Sequence, residues 1–513
     1  MNRQAFLRSW ERISAGRLIL LLTTILAPGL AAAEDPKLDT PAQQAAPTAF
    51  ADERPHPVLD WGIGDGKSYW VPAAGIFLFD FSLNQVDRRI SGTSDYDVSF
   101  SSIKDNFTGK WVHDNDPFSV NQFAHPYQGS MYHGFARSAG LGYWEASAYT
   151  ILGSAAWEIA GETTKPSIND QFTTGFGGSF LGEPLFRLAS LLLESGTGAH
   201  PGMWRELGAA AISPSTGFNR LAFGERFDGV FRSHNPAVYT RLDLGVNVDS
   251  RVSSSVNRNT NIEDPPIPQS YDTGEAIGDF TVAYGLPGKP GYTYERPFDY
   301  FHLQFTAASS NVLENVIVRG LLVGAPYSAG EDYRGIWGLY GTYDYVAPQI
   351  FRVSTTGAAL GTTSQWWLSR NVALQGSALA GIGYGSAGTI HGVGDRDYHN
   401  GVTPQELLNL RLIFSDRVSL DTSLRNYHVT DIASEENGGH EHILRADASL
   451  TLRVFNLHGL TLKYVTSRRD ASYSDMPDTR QRVGAISIGY TYLGQTRSGA
   501  VDWRPKSEGG PAL

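Results

Sequence analysis

From about residue 238 the hydrophobic pattern of the chain repeats at every second position. In 241–249, Leu242, Leu244, Val246 and Val248 alternate with Arg241, Asp243, Gly245, Asn247 and Asp249. In 444–454, Leu444, Ala446, Ala448, Leu450, Leu452 and Val454 alternate with Arg445, Asp447, Ser449, Thr451 and Arg453. The same alternation runs through 408–414, 418–425, 460–464 and 486–492. A strand sends successive side chains to opposite faces, so each segment has one apolar and one polar face. There are on the order of a dozen such segments, each near the ~9–11 residues a tilted strand needs to cross a bilayer. The polar face carries full charges, which a dry sandwich core rejects and a wet or plugged lumen tolerates. Long connections at 385–403, 431–441 and 470–480 alternate with tight ones around 416 and 456. The pattern predicts an antiparallel transmembrane β-barrel over 238–493, of about 12 strands. Its assembly signal would be the internal stretch Ile486 to Tyr492, because a polar tail, 494–513, follows. The stretch 287–335 fits the rhythm less well, and a soluble sandwich is the rival reading.

Residues 60–225 follow a different pattern. Apolar runs of ten to twenty residues lie between Gly, Pro, Asn and Asp punctuation, which predicts helices over 68–90, 128–139, 142–161, 178–195 and 202–212. Both 142–161 and 178–195 carry charges, so burial within protein is the better reading than a transmembrane span. The fold class expected is α+β: a C-terminal barrel with an N-terminal helical domain that plugs or caps it.

The N-terminus changes the picture by adding a destination. Arg3, Arg8, Arg12 and Arg17 precede a short apolar core, Leu18 to Leu26, and Pro28 leads to Ala31-Ala32-Ala33. This reads as a cleavable signal peptide, 1–33, since the run is shorter than the roughly 20 residues of a membrane helix. Residues 34–58, rich in Ala, Pro and Gln, read as a disordered linker. With no cysteine, the chain is neither a lipoprotein nor disulfide-bonded. Removing 1–33 takes away four arginines and one glutamate, so the formal charge goes from −11 to −14. That argues against nucleic acid as a partner. A mean hydropathy of −0.24 is far too polar for a bundle of membrane helices and permits a barrel. The expected location is the outer membrane, with outer-membrane lipids and the barrel assembly machinery as partners. No cofactor is expected, and the small-molecule ligand is unknown.

The densest run of unusual residue choices is 111–195: WVHDNDPFSVNQFAHPYQGSMYHGFARSAG, then WE at 157, GE at 161, PSIND at 166 and GE at 182. This run resembles a bacterial family, the domain of unknown function numbered 3943, found in predicted outer-membrane proteins, and the likeness extends across roughly 60–225. The resemblance implies an envelope location and a helical-plus-barrel layout, without a reaction.

Physical reasoning singles out residues within that run. Ser154, Glu158 and Glu162 lie at four-residue spacing, as do Glu183 and Arg187, which could form an ion pair. Gly178 and Gly182 would let another backbone approach closely. Around them sit His125, Ser130, His133, Arg137, Asn169 and Asp170. In the favoured reading the unit is a polar plug, with Arg137, Glu158, Glu162 and Arg187 paired to lumen residues such as Arg241, Asp243, Arg445 and Asp447. The protein is then a structural or transport component of the envelope. The alternative is a lipid- or envelope-modifying hydrolase with a polar site in 125–170. Its candidates are His125, Ser130, Glu158, Glu162, Asn169 and Asp170, because acyl transfer needs a nucleophile, a base and an orienting group. A metal at His125, Glu158, Glu162 and Asp170 is a third reading, without an HExxH spacing to support it. Two loop clusters, His391, Asp395, Asp397 and His399, then His428, Glu435, Glu436, His440, Glu441 and His442, read as solvated tips that could also hold a cation.

Overall fold

The computed structural model describes residues 59–195, 201–256, 270–271, 274–309, 313–348, 350–389, 398–431, 438–473 and 478–501. The expected signal peptide and linker lie outside the described residues, as does the tail beyond 501.

The N-terminal unit is helical: α1 Trp70–Ile90, α2 Phe100–Thr108, α3 His125–Ser138, α4 Tyr143–Ala160, α5 Ile168–Phe172, α6 Gly178–Glu194, α7 Met203–Ile212 and α8 Pro214–Phe223. π-helical turns, Val120–Ala124 and Thr173–Gly177, lead into α3 and α6. Pro126 sits in the first turn of α3, where its missing N–H costs no helical bond. α2, α5 and α8 were not legible in the pattern. α2 is announced only by Ser99, whose hydroxyl accepts the Ser102 N–H at 3.2 Å.

Twelve strands follow: β1 Val238–Val256, β2 Ala276–Tyr284, β3 Phe301–Ala308, β4 Asn315–Ala329, β5 Tyr333–Val346, β6 Phe351–Ser369, β7 Val372–Thr389, β8 Tyr398–Phe414, β9 Val418–Asp431, β10 Gly439–Phe455, β11 His458–Tyr473 and β12 Thr479–Leu493. Each pairs antiparallel with the next, and β12 pairs back onto β1, so the sheet closes into a 12-stranded barrel. A further two-residue strand, Ser270–Tyr271, extends the edge of β1. The misfit at 287–335 has a physical origin. Residues 285–300 form an irregular connection, and the two strands after it are unequal, eight and fifteen residues long. Tight turns at one end are made by residues that accept positive φ, Ser415 and Asn456.

The barrel's own side chains narrow the lumen in three layers, with cavities left beside the ionic one. At the tight-turn end Tyr239, Tyr300, Tyr340, Leu379 and Leu407 form an apolar cluster. The middle is ionic: Arg241 reaches Asp243 at 3.0 Å and Asp421 at 3.1 Å, Lys463 reaches Asp279 at 3.0 Å, and Arg425 reaches Asp447 at 3.0 Å. At the other end Phe351, Val353, Tyr427, Val429 and Ile443 close the interior with a second apolar cluster. The chain after β12 turns back into the tight-turn mouth. There Val501 packs on Trp367, Ala373 and Ile413, and Gln375 donates Nε2 to the Gly499 carbonyl at 2.7 Å.

The helical unit is therefore not a plug, nor does it cap the barrel. It lies along the outer wall. Val282, Leu303, Val318, Tyr343 and Tyr345 point away from the lumen, yet all are buried, packed with Phe118, Phe180, Leu181 and Leu188 of the helical unit. The reason is energetic. Most of the charges facing the lumen are already paired with one another, so a polar insert gains little there. The apolar outer face gains roughly 25 cal/mol for each Å² it covers. Elsewhere the outer face stays bare: Leu450, Leu460, Leu462, Tyr464, Ile488 and Tyr490 are exposed. The unit's far side is apolar as well, with Trp70, Phe77, Phe81, Trp144 and Leu221 exposed. No described helix is long and apolar enough to cross a membrane.

Candidate functional site

Two buried polar networks of the helical unit reach the barrel. The first joins α3, α6 and the barrel. Glu183 sits at its centre, accepting from Arg137 Nε at 2.7 Å and Arg187 Nε at 2.8 Å, with His133 Nε2 at 3.0 Å. Arg187 continues to Asp299 at 2.9 Å and to the Pro297 carbonyl at 2.6 Å, both in the connection before β3. The expected Glu183–Arg187 pair is present. The expected pairs from Arg137 and Arg187 to Arg241, Asp243, Arg445 and Asp447 are absent, because those four face the lumen. Arg445 pairs with Glu314 instead. Burial alone would push the Glu183 carboxyl up, but Arg137, His133 and Arg187 around it hold it well below the usual carboxylate range.

The second network gathers most of the residues expected in a site. His125 Nε2 lies 3.6 Å from Asp170 Oδ2, and both side chains are buried. Asn169 Nδ2 donates to Asp114 at 2.5 Å, and Asn121 Nδ2 donates to the same oxygen at 2.7 Å. Ser167 caps α5, and its N–H donates to Glu158 Oε2 at 2.7 Å. Two features of the backbone bring these groups together. A single parallel bridge joins Val112 to Ser167, and Asn106 Nδ2 ties α2 to the Glu162 carbonyl at 3.1 Å. The barrel contributes as well: the Tyr398 hydroxyl donates to the Asp116 carbonyl at 2.7 Å, and the Tyr384 hydroxyl lies 2.9 Å from His113 Nδ1.

Electrostatically the cluster is crowded with carboxyls. Burial, reinforced by Asp170, pushes Glu158 well above its ordinary range. Burial, reinforced by Asp114, does the same to Asp170. Glu162 is raised by burial, with His125 opposing the shift. The cluster therefore favours protonated carboxyls beside a histidine whose Nδ1 is buried without a hydrogen-bond partner.

Two candidates sit otherwise than expected. Glu162 lies past the end of α4 and folds back to accept the Trp157 indole N–H at 2.8 Å, so it leaves the helical face it was expected to share with Ser154 and Glu158. Ser130 turns away: its hydroxyl donates to the Tyr127 carbonyl at 2.6 Å. Among the described residues, no three His, Asp or Glu side chains are placed to share a metal ion. Asp114, Asn121, Asp299 and Tyr398 were missed. The first two stand in the HDNDPFSVNQ run, whose density of polar residues was the available signal. Asp299 and Tyr398 are brought in only by the barrel.

Among the described residues of the second loop cluster, Glu441 and His442 face opposite ways. Glu441 points inward, bound by Arg469 at 2.6 Å, while its chain neighbour His442 points outward and stacks on His428 with centroids 4.5 Å apart. His399 meets Asp431 at 3.4 Å. His391, Asp395, Asp397, Glu435 and Glu436 lie outside the described residues.

A closed antiparallel barrel with a charged lumen and a bare apolar outer flank is of the membrane-spanning kind. Residues 110–215 match the family model described as Domain of unknown function (DUF3943), which is the family whose likeness the sequence carries. A search of curated proteins finds no match. Among solved structures, the NanC porin is 8% identical over 48% of this chain and 98% of its own, with a TM-score of 0.23. The toluene transporter TodX of Pseudomonas putida is 11% identical over 51% of this chain and 90% of its own, with a TM-score of 0.21. The outer membrane protease OmpT from Escherichia coli is 7% identical over 51% of this chain and 100% of its own, with a TM-score of 0.18.

Proposed function

We propose that the protein is a structural component of the outer membrane, a closed barrel that anchors a helical unit within the lipid layer beside it. One observation carries this reading. The barrel's own side chains close both ends of its lumen with apolar clusters, while its outer wall is either bare and apolar or covered by helices whose far side is apolar too. A transport role through the lumen is disfavoured by the same packing, since the ionic middle layer lies between two apolar ones. The partners are then membrane lipids and, during insertion, the barrel assembly machinery. The test has two parts. Unheated protein should run differently from boiled protein on a gel, as closed barrels do, and should fractionate with the outer membrane. Reconstituted in planar bilayers, it should pass no ionic current. Unchanged mobility with a soluble pool removes the membrane reading, and steady conductance removes the structural one.

A second reading, a lipid-modifying hydrolase, is favoured by the His125–Asp170 contact among raised carboxyls. With Ser130 turned away, the nucleophile would be a water activated by His125. His125→Asn should then abolish a lipid phenotype and leave the heat-shifted band intact. A variant that behaves as wild type in both respects ends this reading.

A further inference from the structure

On the flank of the barrel away from the helices, the outward face changes character along the strands. Tyr464 of β11 and Ile488 of β12 are exposed apolar residues on that face. Continuing toward the long-loop end at even spacing, and so on the same face, come Arg468, then Arg482 and Arg480. On β1 a bulge between Asn247 and Asp249 resets the register, so that Arg251 lies opposite Gly484 and joins the outward set. Four arginines on three consecutive strands thus begin where the apolar surface ends.

The arginines crowd one another. Arg468 and Arg482 are direct cross-strand partners, and like charges placed opposite each other on one face repel. Carboxylates stand among them. Asp470 accepts from Arg480 Nε at 2.6 Å and lies 2.6 Å from Arg468 Nε in an ion pair, and Asp249 lies 3.6 Å from Arg251, which is 81% exposed. The chain as a whole is acidic, at −11, so this patch runs against its overall charge. Guanidinium groups match phosphate oxygens with paired, charge-assisted hydrogen bonds. Height and chemistry coincide here, because phosphates of a lipid headgroup lie just beyond the acyl layer.

We propose that Arg251, Arg468, Arg480 and Arg482 form a binding site for the phosphate groups of a phosphorylated glycolipid in the leaflet on the long-loop side. The site rests on the outer-membrane reading, which makes that leaflet available. It commits to lipid-borne phosphate rather than the free ion, since the arginines adjoin an acyl-facing surface.

The test uses the full chain, purified in detergent, and measures binding of lipid A, a bisphosphorylated disaccharide lipid, by native mass spectrometry. Lipid A stripped of its phosphates is the control. Wild type should retain the phosphorylated form and not the stripped one. The double variant Arg468→Ser with Arg482→Ser should weaken retention roughly thirtyfold, since each arginine beside an anionic headgroup accounts for a factor of about five. The heat-shifted gel band should be kept. Should that pair not assemble, Arg251→Ser with Arg480→Ser is read in the same way. Equal retention of both lipids, or full retention by assembled variants, overturns the site while the outer-membrane reading stands. A wild-type protein without a heat-shifted band overturns both. Competition by inorganic phosphate at equal concentration would likewise overturn it, by showing a free-ion site.

Discussion

A Cβ placed on Gly178 would lie 2.5 Å from the Cα of Gly129, closer than real Cβ contacts come. α3 and α6 cross at this point backbone to backbone, and Gly182 continues the contact against the His133 side chain. Gly178→Val should therefore push the helices apart and destabilise the unit by about 1–3 kcal/mol or more, since overpacking at a backbone contact cannot be absorbed by a rotamer change. The measurement is the protease resistance of 60–225 in the assembled protein. Resistance equal to wild type would show that the helices do not pack this way.

Glu183 carries the ion network between two arginines. Glu183→Leu would leave Arg137 and Arg187 buried without their central counter-charge, at a cost of about 3–5 kcal/mol. The exposed pair Arg88–Asp97, at 2.9 Å, provides the contrast, and Arg88→Ala should cost about 0–1 kcal/mol. Chemical denaturation followed by tryptophan fluorescence should separate the two variants widely.

Asp80 gives a pH dependence. Burial pushes its carboxyl up to about 7, against hydrogen bonds from Tyr132 and Gln128 that pull it down. The folded state thus holds a proton that the unfolded chain gives up near 3.8. Stability contributed by this group is full below that lower value and falls as pH rises toward 7, where the folded form also ionises. Asp80→Asn should flatten this part of the profile, as read from the denaturation midpoint between pH 4 and about 7. A slope unchanged in the variant would assign the effect elsewhere, with Glu158 and Asp170 the next groups to test.

The C-terminal segment closes the tight-turn mouth, so truncation after Arg497 should loosen it. The expected outcome is a heat-shifted band still present but lost at a lower temperature, with no ionic current, because the cluster of Phe351, Val353, Tyr427, Val429 and Ile443 still closes the other end. A band lost at the wild-type temperature would mean that the apolar layer of Tyr239, Tyr300 and Tyr340 holds the mouth unaided.

The barrel was legible because alternation is a local property: one strand suffices to show which residues face which way, and Arg241, Asp243, Arg445 and Asp447 do face inward. Which face of the wall receives the helices is a global property. The charges of Arg137 and Arg187 suggested a partner in the lumen, but Glu183, four residues from Arg187 and one helix from Arg137, satisfies both without leaving the unit. Within the candidate site, His125, Asp170, Asn169 and Glu158 were found because they crowd one segment. Asp114 and Tyr398 act through contacts that neither spacing nor composition reveals, and Ser130 fits a serine-histidine pattern that its own helix pre-empts.

The position of the helices on the wall also fixes an order of events in synthesis. Every barrel side chain that completes the core of the helical unit, from Val282 to Tyr398, leaves the ribosome after the helices themselves. Phe118, Phe180 and Leu188 thus wait, greasy and unfinished, for a surface that is still being made. Maturation of the first half is slaved to closure of the second.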